Sequence, residues 1–260
     1  MDPSQTGDAA PDDRSAYLLA EAKRRDPDRY LCALFAPAER RDDLLALLLF
    51  NDELARIPDA VTQPMTGLIR LQWWRDALDE LLTGRPPRRH PVVEALAPLV
   101  ADGRAAANTL HAMVDAREPA LEQPAPGLDW LEGYAQATSG GLSRAWYTAL
   151  GGRSQREAQG ALSIGAAYGL LGLGEALQSE SAPLETGAER LASLTADVRI
   201  RAAELCAEGR RLAGRPDRRL MAAFLPAALV DDRLAGRRSP HGRGPLAPVR
   251  LGLRAWLRRP

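Results

Sequence analysis

Lysine is almost absent from this chain of 260 residues: Lys23 stands alone among 34 basic side chains, and the rest are arginine. Acidic residues also number 34, so the chain carries no net charge that would draw it as a whole to nucleic acid or to a lipid surface. Aromatic residues make up 5% of the sequence and β-branched residues are scarce, which removes the usual material of strands. No segment alternates apolar and polar residues, no Asn-Gly turn marks a hairpin, and no internal repeat appears. Only two cysteines occur, Cys32 and Cys206, far apart and in apolar or helical surroundings. They form no CxxC pair and read as small core residues. His90, His111 and His241 lack the spacing of metal ligands. Nucleophile-elbow, P-loop and dinucleotide motifs are missing. The opening MDPSQTGDAAPDDRSA has neither a basic start nor an apolar stretch, which argues against a secretory signal. A disordered tail over residues 1–13 and a cytoplasmic location are expected, in keeping with the low cysteine count.

What is present is helix-forming. Alanine, leucine and arginine dominate, and the chain is long enough to bury a core without disulfides. Proline and glycine punctuate helices expected at 14–25, 29–35, 38–57, 64–83, 91–100, 103–117, 129–150, 154–178, 183–212, 217–234 and 249–257. Between Glu157 and Glu175 the run AQGALSIGAAYGLLGLG holds no charge. It is shorter than the roughly 20 residues of a membrane span, and its glycines weaken it as a lone helix. It reads as the central helix of a core. The fold class is therefore all-α: one helical domain over 14–235, then a loose basic segment, 236–260, that ends in a short amphipathic helix.

The stretch FNDELARIPD closes a leucine-rich helix and sets Asp52, Arg56 and Asp59 at i, i+4 and i+7. On a helix these share a face, so Asp52 can pair with Arg56. Two readings stay open: a half-solvated ion pair, or an arginine that holds an anionic ligand directly. Trp73 and Arg75 are candidates for a ligand cleft, while Trp74 lies on the apolar stripe Leu71, Trp74, Leu78, Leu81 and belongs to the core. Asp115 and Arg117 read as a local ion pair or a polar site. After Asp232 every charge is positive. Arg250, Arg254 and Arg258 repeat at i+4, with Arg259 beside them and Val249, Leu253, Trp256 and Leu257 on another face. That pattern suits a helix lying on anionic lipid, or one packed on the domain with a basic outer face.

From about Arg14 to Leu257 the order of motifs resembles the squalene/phytoene synthase family. DPDRYLCALFAPAERRDDLLALLLFNDELARIPDAV, IRLQWWRDALDELLTG and HPVVEAL resemble that family's opening, and LDWLEGYAQATSGGL, with Tyr134, resembles its Tyr…Ala-Gly helix. The resemblance implies an isoprenoid-synthase-like helical bundle. Family enzymes join prenyl diphosphates head to head on magnesium held by two aspartate-rich helices. Here the first motif, DDxxD, falls on Ala55, Arg56, Ile57, Pro58 and Asp59, and Asp52 replaces an upstream arginine. The second motif falls on Gly172, Glu175 and Ala176 in place of Asn, Arg and Asp. The resemblance is nearer to a divergent branch found in alphaproteobacteria and in mitochondria, where it assists assembly of respiratory complex I. That branch implies a non-catalytic protein without a cofactor, which aids a respiratory complex at the inner membrane and has an isoprenoid- or quinone-like lipid in the old cavity. The alternative is a magnesium-dependent prenyl transferase.

Overall fold

A computed structural model describes residues 11–122, 127–180, 185–239, 242–243, 247–258 and 260. Its α-helices are α1 (Pro11–Arg25), α2 (Pro27–Ala33), α3 (Ala38–Ala55), α4 (Pro64–Leu82), α5 (Pro91–Ala101), α6 (Ala107–Asp115), α7 (Leu128–Ala135), α8 (Gly141–Ala149), α9 (Gln155–Glu180), α10 (Glu185–Ala213), α11 (Pro226–Leu234) and α12 (Ala247–Leu257). Among the described residues, the sole strands are the two-residue β1 (Arg238–Ser239) and β2 (Gly242–Arg243), paired antiparallel. The all-α expectation holds. Residues 11–13, expected in the tail, open α1; residues 1–10 of that tail lie outside the described residues.

Local chemistry accounts for the helix starts. Proline occupies the first turn of α2, α4, α5 and α11, where its missing N–H is not needed. Asp26 caps α2 by accepting the Arg29 N–H at 2.8 Å, and His90 caps α5 by accepting the Val92 N–H on Nδ1 at 3.3 Å. Pro226 interrupts the helix expected over 217–234, leaving a 3₁₀ turn at Arg218–Ala223 before α11.

Two helices organise the interior. α3 is buried almost all round from Asp43 to Asn51 and packs against α1, α5 and α8. α9 is by length and composition apolar enough to cross a membrane, yet α7, α8, α10 and α11 surround it, as its reading as a core helix requires. Its closest neighbour is α10. A Cβ on Gly160 would lie 2.8 Å from the Gly209 carbonyl, and one on Gly209 would lie 2.7 Å from the Gly160 carbonyl. The helix expected over 129–150 is continuous, but it contains a π turn at Gln136–Gly140 between α7 and α8. That widened turn presses on α9, where a Cβ on Gly165 would collide with the Ser139 carbonyl.

Candidate functional site

The end of α3 carries the first candidates. The helix stops at Ala55, because Pro58 disfavours helical geometry at Ile57. Asp59 therefore sits exposed in the following turn, beside Val61, Thr62 and Glu122. The common helix face expected for Asp52, Arg56 and Asp59 does not extend to Asp59. Arg56 Nε lies 3.8 Å from Asp52 Oδ2, and its side chain is 52% exposed. A stronger partner comes from α1. Arg25 Nη1 donates to Asp52 Oδ2 at 2.9 Å and to Glu53 Oε1 at 2.6 Å, and its Nε donates to Glu21 Oε2 at 2.7 Å. One guanidinium thus gathers three carboxylates. Hydrogen bonds from Arg24 and Arg25 hold the Glu21 carboxyl down to about 2.

One residue earlier, Asn51 turns inward. Its side-chain oxygen accepts from Arg117 Nη2 at 3.0 Å, while Arg117 Nη1 donates to the Tyr134 hydroxyl at 2.5 Å. Tyr134 stacks on Trp130 with ring centres 5.1 Å apart. Arg117 is 4% exposed, and among the described residues no carboxylate lies within ion-pair distance of it. Its Nε has no partner among the described residues. Burial first, and the charge of Arg29 in addition, push its pKa below the usual arginine value. The Asp115–Arg117 pair expected from the sequence does not form. Asp115 accepts instead from Arg75 Nε at 2.7 Å, and Arg75 also reaches Glu118 at 2.7 Å. Arg75 and Asp115 thus form a surface bridge between α4 and the end of α6.

Across the interior, α9 presents Tyr168 and Gly172. Arg233 of α11, 8% exposed, lies over the Tyr168 ring at 4.1 Å and donates to its carbonyl at 3.1 Å. Its other nitrogens approach Asp28 at 3.8 Å and Glu175 at 3.9 Å. A Cβ on Gly172 would stand 3.5 Å from Arg233 Nη1. Arg29 also lies over Tyr168, at 5.3 Å, and bonds Asp26 at 2.6 Å. Burial raises the Asp26 pKa, but Arg29 overrides it and leaves the carboxyl below its ordinary value.

These residues do not fit magnesium, which takes oxygen ligands drawn largely from carboxylates. The first-motif positions supply Asp59 alone, in an exposed turn. At the second, Gly172 and Ala176 carry no ligand and Glu175 faces Arg233. Among the described residues, no group of three His, Cys, Asp or Glu side chains is set to hold a metal. Arginine instead occupies the carboxylates nearby: Arg25 holds Asp52 and Glu53, Arg29 holds Asp26, and Arg233 lies near Asp28 and Glu175, while Arg117 has no carboxylate partner among the described residues. Of these four, only Arg117 stood out in the sequence. The other three become meaningful once α1, α2 and α11 converge on α3 and α9.

Trp74 is buried and meets Phe50 and His90 edge-on, as its place on the apolar stripe predicts. Trp73 is half-buried and lines a cleft of about 480 Å³ with Arg56, Arg70 and His90. At the other end of the chain, Leu251 and Ala255 of α12 are buried. Arg254 bonds Asp231, and Arg258 donates to the carbonyls of Arg215 and Pro216. Leu253 is 55% exposed. The side chains of Arg250 and Trp256, and Arg259 entirely, lie outside the described residues.

Comparison with known proteins gives the family and the fold. A squalene/phytoene synthase family model matches residues 22–178. The chain is 34% identical over 156 residues to complex I assembly factor 6 of Bos taurus and 33% identical to that of Homo sapiens, covering 60% of this chain and 46% of each relative. A Drosophila melanogaster homolog of that factor is 27% identical over 131 residues, 48% of this chain and 39% of its own. The chain thus spans about half the length of these relatives. A crystal structure of a dehydrosqualene synthase in complex with ligand superposes with a TM-score of 0.72 at 17% identity, over 94% of this chain and 95% of that one, and establishes the shared fold.

Proposed function

The chain belongs to the squalene/phytoene synthase family, and from that premise we propose that it is a non-catalytic member that helps to assemble or stabilise a respiratory membrane complex, complex I. The observation that carries this reading is the loss of metal-ligand carboxylates at the old active site. A leaving diphosphate needs its charge neutralised by metal. Where the family's enzymes bring carboxylates to hold that metal, this chain has Ala55, Arg56, Gly172 and Ala176, and Arg25 and Arg29 engage the nearby Asp52, Glu53 and Asp26. Its similarity to proteins named as complex I assembly factors supports the choice of complex. Protein surfaces, not a reaction, then perform the function, with no cofactor required. Its place of action would be the face of the membrane that carries the complex, reached by peripheral contact.

A second reading has an observation of its own. The buried Arg117 keeps an unpartnered Nε beside the stacked Tyr134 and Trp130. An isoprenoid- or quinone-like lipid could place its polar end there without metal.

Two measurements test the proposal. Pure protein given farnesyl or geranylgeranyl diphosphate, magnesium and a reductant should release no squalene, phytoene or cyclopropyl diphosphate; accumulation of any of these establishes the prenyl transferase alternative. Deleting the gene from its source cell should lower the amount and activity of assembled complex I, leaving squalene and carotenoid levels unchanged. Normal complex I in the deletion strain would remove the assembly role.

A further inference from the structure

We propose that the cleft between the α3–α4 connection and α4 is a binding site for a small amphipathic anion, with an alkyl or aryl body lying on an aromatic floor and an anionic head taken by Arg56 and Arg70. The cleft shares Arg56 and Ile57 with the first-motif positions, but Arg25, Arg29, Arg117 and Arg233 do not line it. It does not depend on the assembly role. Its volume of about 480 Å³ is of the size that holds small organic ligands.

The floor is apolar and fixed. Ile57 is 5% exposed, and the half-buried Trp73 meets both Trp74 and His90 edge-to-face, with ring centres 5.1 and 5.6 Å apart. Arg88 covers the Trp73 ring at 5.2 Å and is itself held by Glu80, so the indole is braced before any ligand arrives. His90 Nδ1 is occupied by the Val92 N–H, which leaves Nε2–H as the ring's remaining donor.

The rim decides the charge of the ligand. Arg70 is exposed, and among the described residues no carboxylate pairs with it. Among the described residues, Arg56 has only the distant Asp52, at 3.8 Å. Among the described residues, Glu53 is the one carboxylate lining the cleft, and Arg25 already takes it at 2.6 Å. Two available guanidiniums above an apolar floor match an anionic head on an apolar body. A cationic amphiphile would meet the same arginines as repulsion.

The test uses the full chain and a fluorescent fatty acid, 11-(dansylamino)undecanoate. Binding should saturate at one site. Decyl phosphate should displace the probe; decyltrimethylammonium at the same concentration should not. The double variant Arg56→Gln/Arg70→Gln should bind about tenfold more weakly or worse, because both charged hydrogen bonds to the anionic head are lost. It should melt like the parent, since both side chains are exposed. Arg218→Gln/Arg219→Gln, which removes two exposed arginines elsewhere, should leave the affinity unchanged. Sedimentation with phosphatidylglycerol vesicles that is lost in the Arg56/Arg70 variant assigns the anion to a bilayer lipid. Displacement by decyl phosphate without sedimentation assigns it to a free amphiphile. Absence of saturable probe binding, equal displacement by the cation, or an unchanged affinity in the folded Arg56/Arg70 variant would overturn the proposal.

Discussion

Asp52 has two arginines within reach, and they are not equivalent. Arg56 is its neighbour one helical turn on, is half exposed, and stays 3.8 Å away. Exposed pairs of this kind contribute about 0.3–0.5 kcal/mol, so Arg56→Met should change unfolding free energy by no more than that. Arg25 comes from another helix, has an 11% exposed side chain, and joins Asp52, Glu53 and Glu21. Removing it leaves three carboxylates facing one another. Arg25→Met should therefore lower stability by about 3 kcal/mol, the low end for breaking a buried pair because the partners stay partly wet. Urea unfolding of the two variants settles the ranking, and equal effects would show that Arg25 is no keystone. Spacing along one helix made Asp52–Arg56 legible in the sequence. The Arg25 contact spans 27 residues and depends on how α1 lies against α3, which no local pattern encodes.

Helices were legible wherever proline, glycine and the apolar stripe agreed, as for α3, α4, α5 and α9. The π turn was not, because it answers to α9 packed against it; the break before α11 is a local effect of Pro226, which the helix expected over 217–234 ran across. The α9–α10 crossing shows what such packing demands. A methyl on Gly209 would meet the Gly160 carbonyl at 2.7 Å, Ile164 Cγ1 at 2.6 Å and the Ile164 nitrogen at 3.1 Å. Backbone atoms cannot swing away as side chains do. Gly209→Ala would gain up to about 1 kcal/mol in helix propensity, yet the overpacking should outweigh it and lower stability by about 1–3 kcal/mol net. A rise in melting temperature would mean the two helices can part without loss. α12 poses the complementary question. Leu251 and Ala255 are buried, and Arg254 and Arg258 are tied to the domain. Deleting residues 247–260 should remove roughly 2–4 kcal/mol of burial and bonding and lower the melting temperature by several degrees. An unchanged melting temperature, with vesicle binding lost on deletion, would assign the helix to the membrane surface instead.

Over the whole molecule, arginine is the cation of nearly every ion pair, and the consequence is a particular response to pH. Guanidinium groups keep their charge throughout the working range, so acid stability follows the carboxylates. Glu21 is held down to about 2 from an ordinary 4.5 by hydrogen bonds from Arg24 and Arg25. Glu80 is lowered by its bond from Arg88, and Glu132 by its bond from Arg201. Asp26 is lowered as well, Arg29 outweighing burial. A carboxyl whose folded pKa is depressed contributes stability that is present above its unfolded value and lost as pH falls through its folded value. These contributions should therefore be intact above 4.5 and decline toward pH 2. His90, pushed below its ordinary 6.5 by burial, adds a shallower loss that begins as pH drops under 6.5. On the alkaline side, burial raises Cys206 from 9.0 to about 11 and lifts Tyr17, Tyr147 and Tyr168 above 10.0. An acid whose folded pKa is raised stabilises below its unfolded value and ceases to do so as pH rises past it, so this decline starts near pH 9–10. Urea midpoints measured from pH 2.5 to 10.5 should trace a plateau between about 7 and 9, a gentle shoulder below 6.5, and a steep acid limb under 4.5. High salt should flatten the acid limb for the exposed pairs more than for Asp26 and Arg29. A midpoint constant down to pH 3 would mean that the arginine–carboxylate pairs joining these helices do not distinguish the folded chain from the unfolded one.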